Sequence, residues 1–172
     1  MACPDIYHPA MRLSEGVEWS LHSATVLALL PAGVALPASR LAEFHGVPAA
    51  YLAKSLQAMT RAGIVESVPG RRGGYRLGGR ADQITVLDIV LAVEGDEMAF
   101  RCTEIRRRGP SRVDAACYRP TCGVAATMWR AEQAWRESLA STTVADLAAD
   151  AAQAIPPEAA TKAVAWMQEV LS

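Results

Sequence analysis

The stretch PAAYLAKSLQAMTRAGIVESVPGRRGGYRL, residues 48–77, decides how the rest of the chain is read. Leu52, Leu56 and Met59 recur at i, i+4 and i+7, the spacing that lines up apolar side chains on one face of a helix. Tyr51, Lys54, Ser55, Gln57 and Arg61 lie mostly away from that stripe and leave polar groups for a partner. Gly63 ends the helix, because glycine takes the left-handed turn beyond a helix at no steric cost. Ile64, Val65 and Val68 then predict a strand, and Tyr75 and Leu77 its return partner. Between them Pro69-Gly70-Arg71-Arg72-Gly73-Gly74 makes a basic, glycine-rich tip. Two guanidinium groups on such a turn suit contacts with backbone phosphate.

Working outward, a short helix is expected over residues 38–45, with Leu41 and Phe44 inward and Gly46 ending it. Val47-Pro48 restarts the chain into the next helix, proline being tolerated in the first turn. Two short helices joined by a glycine-containing turn make a helix-turn-helix, whose second helix enters the major groove. The hairpin behind it makes a winged helix. Charge agrees: from Tyr51 to Arg80 there are six Lys/Arg against the single acid Glu66, in a chain of net charge −1. A local basic patch in a near-neutral protein is a nucleic-acid footprint. The candidate DNA contacts are Arg40, Tyr51, Lys54, Ser55, Gln57, Arg61, Arg71, Arg72 and Tyr75.

The chain has 172 residues, 51% hydrophobic and 20% charged, an ordinary globular composition. No apolar run approaches the roughly 18–20 residues of a membrane span. The first ten residues lack the basic start and apolar core of a signal peptide and read as an extension. A cytoplasmic protein is expected, in which disulfides are disfavoured.

Upstream of the decisive stretch, Ser14 is the expected N-cap of a first helix reaching about Leu30, with Val17, Leu21, Ala24 and Ala28 as its inward stripe. Glu18 and His22, at i and i+4, share one face of it. Downstream, Ile84, Leu87, Ile89, Val90 and Val93 predict a compact helix ending at Gly95. Periodicity then stops until Thr121. A long helix resumes near Gly123, its stripe of Val124, Met128, Ala131, Trp135 and Leu139 reading as a dimerisation seam or a face docked on the chain's own core. Thr142 or Thr143 caps a short helix, and a last helix spans about residues 157–171. The expected divisions are an extension over 1–10, a winged helix-turn-helix domain over 11–95, a cysteine-containing loop over 96–122, a dimerisation helix region over 123–151 and a C-terminal helix over 152–172.

Cys102, Cys117 and Cys122 fall in or beside the irregular loop, and Cys3 lies far off. Three thiols form no disulfide framework, and a closed tetrahedral metal site needs a fourth ligand. Glu18 and His22 are candidates for the missing positions. Thiolates favour iron–sulfur clusters, zinc or copper(I), and imidazole or carboxylate widens the choice. A Cys, His and Glu set is also the raw material of a nucleophile, base and orienting carboxylate, but no oxyanion-hole or substrate-pocket feature accompanies it.

LPASRLAEFHGVPAAYLAKSLQAMTRAGIVESVPGRRGGYRL resembles the winged-helix repressors of the Rrf-two family. The carrying motifs are Leu41-Ala42-Glu43, the run from Tyr51 to Gly63, and the wing from Gly70 to Leu77. The resemblance covers about residues 11–146. It implies a homodimer binding palindromic double-stranded operator DNA, with a long helix after the loop crossing the dimer interface. It further implies a 2Fe–2S cluster, or in some members a four-iron cluster, whose state switches DNA binding. Family loops usually space three cysteines by about five residues; here fourteen residues separate Cys102 from Cys117 and four separate Cys117 from Cys122. That departure, with LSEGVEWSLHS and FRCTEIRRRGP, resembles the redox-sensing RsrR-type subgroup. In that subgroup a glutamate and a histidine of one subunit join cysteines of the other. The implied ligands are Glu18 and His22 with two of Cys102, Cys117 and Cys122, with Cys122 preferred. A winged-helix regulator using zinc, a thiol switch or no metal is the alternative.

Overall fold

The computed structural model describes residues 13–70, 73–118 and 121–171. Arg71 and Arg72 of the expected wing tip, and Cys3, lie outside the described residues.

The elements run α1 (Glu15–Leu29), α2 (Ala38–His45), α3 (Ala49–Arg61), β1 (Val65–Val68), β2 (Gly74–Leu77), α4 (Val86–Glu94), α5 (Gly123–Ala140), α6 (Val144–Ala154) and α7 (Pro157–Leu171). Short 3-10 turns at Ala81–Gln83, Ile105–Arg107 and Ala115–Cys117 fill the connections. The protein is mainly helical with a two-stranded hairpin, a winged helix-turn-helix.

α1 is the hub. It touches α2, α3, α4, α6 and β2, which explains why it is apolar on most sides. Its start is held differently from expectation. Ser14 makes no side-chain cap; its backbone N–H and hydroxyl instead both donate to Glu94 Oε1 at the end of α4, at 2.8 and 2.6 Å. α2 ends at Gly46, whose φ of 65° is the left-handed turn that glycine permits. α3 follows at once, and its Leu52, Leu56 and Met59 are each fully buried. Each such side chain contributes about 1.5–3 kcal/mol by leaving water.

The hairpin is antiparallel, with Val65 opposite Leu77 and Val68 opposite Gly74. A third segment joins it: Leu36 N–H donates to the Tyr75 carbonyl (2.9 Å), and Tyr75 N–H donates to the Leu36 carbonyl (2.7 Å). The approach is so close at Gly74 that a Cβ there would stand 2.2 Å from the Leu36 carbonyl carbon. The chain before α2 thus ties the wing down, and only glycine fits.

α4 and α6 begin side by side. Val86 N–H donates to the Thr142 carbonyl (2.9 Å) and Val144 N–H to the Ile84 carbonyl (2.8 Å). Thr85 with Asp88, and Thr143 with Asp146, form matching capping boxes. Val144 sits fully buried in the same core as Leu41, Leu52 and Ile89, and Met167 and Val170 of α7 pack against that core. The winged-helix core is therefore completed by residues well beyond 95, and α6 and α7 belong to it.

The expected seam on α5 divides. Trp135 and Leu139 pack against the cluster of Val17, Val86 and Val90 on α1 and α4, whereas Val124 and Met128 stay exposed. Only the first half of that helix presents an apolar face outward.

Candidate nucleic-acid interface and cysteine site

On α3 the outward face carries Tyr51, Lys54, Gln57 and Arg61, all exposed. Tyr51 is 60% exposed, and the Lys54 ammonium lies 5.4 Å from its ring centre, so cation and ring stand together on the surface. Behind them Trp19 of α1 meets the Tyr51 ring edge-on at 6.4 Å. That contact links the first helix directly to the outward face of α3.

Two of the expected contacts are less open than the rest. Ser55 is 6% exposed and turns into the α1–α3 contact; a Cβ at Gly16 would come within 3.1 Å of its hydroxyl. It borders the Leu52–Met59 stripe, and α1 packs closely against that border, leaving Ser55 low in the open groove that Trp19, Tyr51, Lys54 and Arg61 also line. Tyr75 is half-buried against the main core, and its backbone is spent on Leu36. Arg40 is exposed but paired with Glu43 at 2.7 Å. Glu43 is itself held below the usual carboxylate range by Arg40 and then by the Trp166 indole. Arg76, on the wing, pairs across the strands with Glu66. Lys54, Gln57 and Arg61 are the described candidates that fully face outward beside Tyr51.

Residues 96–118 are held by polar contacts. Glu132 of α5, 8% exposed, accepts from the Ala99 N–H at 3.0 Å and from Arg136 at 3.1 Å. Arg136 also pairs with Asp96, so one buried carboxylate and one arginine fasten the loop's start to α5. Further along, the Tyr118 hydroxyl accepts from Val113 N–H (3.1 Å) and donates to the Arg106 carbonyl (2.9 Å). The Arg106 guanidinium lies 5.2 Å from the Tyr118 ring centre. Nothing in the opening stretch of sequence announces these tethers; a lone Glu on α5 reads as an ordinary surface residue.

The three loop cysteines are not equivalent. Cys102 and Cys122 are half-buried and Cys117 is exposed. Arg106, paired with Glu104 at 2.9 Å, feels the charge of both Cys122 and Cys102. Cys122 is the N-cap of α5, and the Ala125 and then Val124 N–H groups hold its thiol below the ordinary thiol range, helped by Arg106. Glu104 takes the left-handed backbone conformation (φ 51°), the sole described non-glycine residue to do so. Strain of this kind persists where surrounding contacts demand it, and Glu104 contacts both Arg106 and the Cys102 thiol.

Glu18 and His22 are both exposed on one face of α1. Among the described residues no three His, Cys, Asp or Glu side chains gather where they could hold a metal ion. One chain therefore carries a carboxylate–imidazole pair and a pair of half-buried thiols, without joining them. Among the described residues no helix is long and apolar enough to cross a membrane.

Comparison with known proteins places these features. The family model described as Rrf2, iron-dependent transcriptional regulator, matches residues 13–150. Protein aau3 of Rhizobium meliloti (strain 1021) is 37% identical over 107 residues, 62% of this chain and, just short of two thirds, 66% of that protein. The structure of CymR (YrzC), the global cysteine regulator of B. subtilis, is 26% identical with a TM-score of 0.64, covering 81% of this chain and 97% of CymR. T. potens IscR shares the fold at a TM-score of 0.62 and 21% identity, over 86% of this chain and 95% of that one.

Proposed function

The chain belongs to the Rrf2 family of transcriptional regulators, and from that membership we propose a homodimeric repressor that binds operator DNA and senses redox state through a 2Fe–2S cluster. Glu18 and His22 of one subunit and Cys102 and Cys122 of the other are its ligands. The observation that carries this reading is the division just described: two half-sets of ligands, each exposed or half-buried, that a single chain leaves apart. The donor chemistry fits, since two thiolates with an imidazole and a carboxylate suit an iron–sulfur centre of mixed ligation. Cys102 and Cys122 are preferred over Cys117 because Arg106 and Glu104 gather about them while Cys117 faces solvent. When bound, such a cluster supplies a one-electron change of charge at the junction of two chains.

The protein's own residues do the rest. Arg106 neutralises part of the thiolate charge. Glu132 and Arg136 keep the loop anchored to α5, whose exposed Val124 and Met128 offer a surface for the second subunit. Trp19, next to Glu18, passes any movement of α1 to Tyr51. Tyr51, Lys54, Gln57 and Arg61 face the major groove, where amide and cationic groups read base edges. Arg71 and Arg72 neutralise phosphate.

Anaerobic purification tests the cofactor. Brown protein with iron and sulfide, lost in Glu18→Ala, His22→Ala, Cys102→Ser and Cys122→Ser but kept in Cys117→Ser, is the expected result. Colourless protein rejects the cluster. Operator affinity must also differ between oxidised and reduced dimers, because a cofactor that binds both states equally switches nothing. Arg71→Ala is expected to weaken binding to every sequence and flatten the salt dependence by about one unit.

A second reading rests on the acidified Cys122 thiol, which suits a thiol switch without metal. Colourless protein whose DNA affinity changes on oxidation, and not after Cys122→Ser, supports that instead.

A further inference from the structure

Glu43 divides its two carboxylate oxygens between two helices. Oε2 accepts from Arg40 Nη1 at 2.7 Å, three residues back on α2, and Oε1 accepts from the Trp166 indole N–H of α7 at 3.2 Å. We propose that Trp166 is a positioning residue for DNA binding: through Glu43 it sets the Arg40 guanidinium in place to receive a backbone phosphate. The proposal rests on the DNA-binding reading, in which Arg40 is a contact, and not on the cluster.

The place of Arg40 in the fold comes first. α2 is the first helix of the helix-turn-helix, the one that crosses the DNA backbone while the second enters the groove. Arg40 stands in the first turn of α2, exposed beside an exposed Ser39. Nη1 is engaged by Glu43, and the rest of the guanidinium, on a side chain 48% exposed, can donate outward. Arginine binds phosphate through that planar fork, so its orientation decides how well the contact is made.

The second observation is what fixes the fork. An exposed arginine–glutamate pair is by itself a weak tie, because it has to hold two long side chains in one geometry. Here the carboxylate has a second partner. The Trp166 N–H takes Oε1, and the Trp166 ring is itself anchored, its centre 5.1 Å from that of Phe44. Arg40 and then the indole hold Glu43 below the usual carboxylate range, which keeps it charged towards Arg40 at neutral pH.

The third is that α7 has other means of docking. Met167 and Val170 pack against the main core, so apolar contacts attach this helix without the indole hydrogen bond. The helix also lies beyond the family match, which ends at residue 150. A tryptophan whose one polar atom crosses to α2 is therefore what this segment adds to the DNA-binding unit. Phenylalanine in its place would keep a ring on Phe44 and leave Glu43 Oε1 to water.

Trp166→Phe in the full-length, metal-free protein makes that change. Nitrogen relaxation of the Arg40 Nε–H is expected to show a more mobile guanidinium, with the circular dichroism spectrum unchanged. Affinity for a mixed-sequence duplex at low salt, read by fluorescence anisotropy, is expected to fall about two- to tenfold, the cost of ordering one long side chain on binding. Such a duplex serves because phosphate contacts act on every sequence. Arg40→Ala is expected to weaken binding and flatten the salt dependence by about one unit. Trp166→Phe added to Arg40→Ala should cost nothing further, because a positioning residue acts only through the group it positions. An equal loss from Trp166→Phe with and without Arg40 shows a merely structural role and overturns the proposal, as does an unmoved Arg40 Nε–H signal. Where Trp166→Phe disturbs the fold, Glu43→Gln decides: it leaves the ring and the helix packing in place and is expected to free Arg40 to the same degree. Arg40→Ala without effect on affinity or salt slope removes Arg40 from the DNA contacts altogether. Arg40→Ala that weakens binding while Trp166→Phe does not leaves the contact standing and overturns the positioning role alone.

Discussion

Within residues 38–77, Leu41, Leu52, Leu56 and Met59 are entirely withdrawn from water, whereas within residues 96–122 no described residue is buried. The DNA-reading half is fixed by apolar packing, which one chain supplies in full. The described part of the cysteine loop is held instead by polar links to Glu132, Arg136 and Tyr118. The contrast separates the two tasks physically. A surface that reads DNA has to keep its shape, while a loop held by polar links is free to change.

Leu56→Ala should break the rigid half most severely. A fully buried leucine cut to alanine costs about 2–5 kcal/mol, read as a large fall in Tm. Tyr118→Phe removes the loop's central hydroxyl and should cost about 1 kcal/mol or less. If the two losses match, the loop is part of the core and the contrast fails.

Glu132→Ala leaves the Ala99 N–H and part of the Arg136 guanidinium without their buried acceptor. A loss of about 1–3 kcal/mol is expected, with faster hydrogen exchange at the Ala99 amide and no change at the α3 amides. Exchange rising equally in α3 would show that the two halves open together.

Cys122 supplies a chemical measure of the loop. In metal-free protein its alkylation by iodoacetamide should show a midpoint pH below that of an ordinary thiol, because the Ala125 and Val124 N–H groups and Arg106 favour the thiolate. Arg106→Ala should raise that midpoint and slow the reaction several-fold at neutral pH. An unmoved midpoint would remove Arg106 from the thiol site.

The smallest effect is expected at Thr143, where the rigid core receives α6. The Thr143 hydroxyl and N–H hold Asp146 below the ordinary carboxylate range. A depressed carboxylate contributes stability above its unfolded pKa, and that contribution is lost as pH falls through the folded value. Thr143→Ala should therefore lower Tm slightly near neutral pH and lessen the further fall on acidification.

Much of the rigid half was legible in the sequence. The spacing of Leu52, Leu56 and Met59, the stops at Gly46 and Gly63, and the apolar residues flanking the glycine-rich turn all act over a few residues. Local rules read such signals. The burial of Ser55 was not legible, because it sits at the margin of the stripe, where the close approach of α1 at Gly16 decides exposure. On α5 the period is uniform, yet α1 and α4 cover only the half with Trp135 and Leu139, a division that spacing alone does not carry.

The sequence by itself determined the helix-turn-helix, the wing and the outward basic face, because helical period, turn chemistry and charge are properties of neighbouring residues. Only the tertiary structure decided that Leu36 ties down the wing, that α6 and α7 complete the core, and that Cys102 and Cys122 share Arg106. These depend on which distant segments meet. That is set by the packing of the whole chain around α1, and no window of sequence contains it.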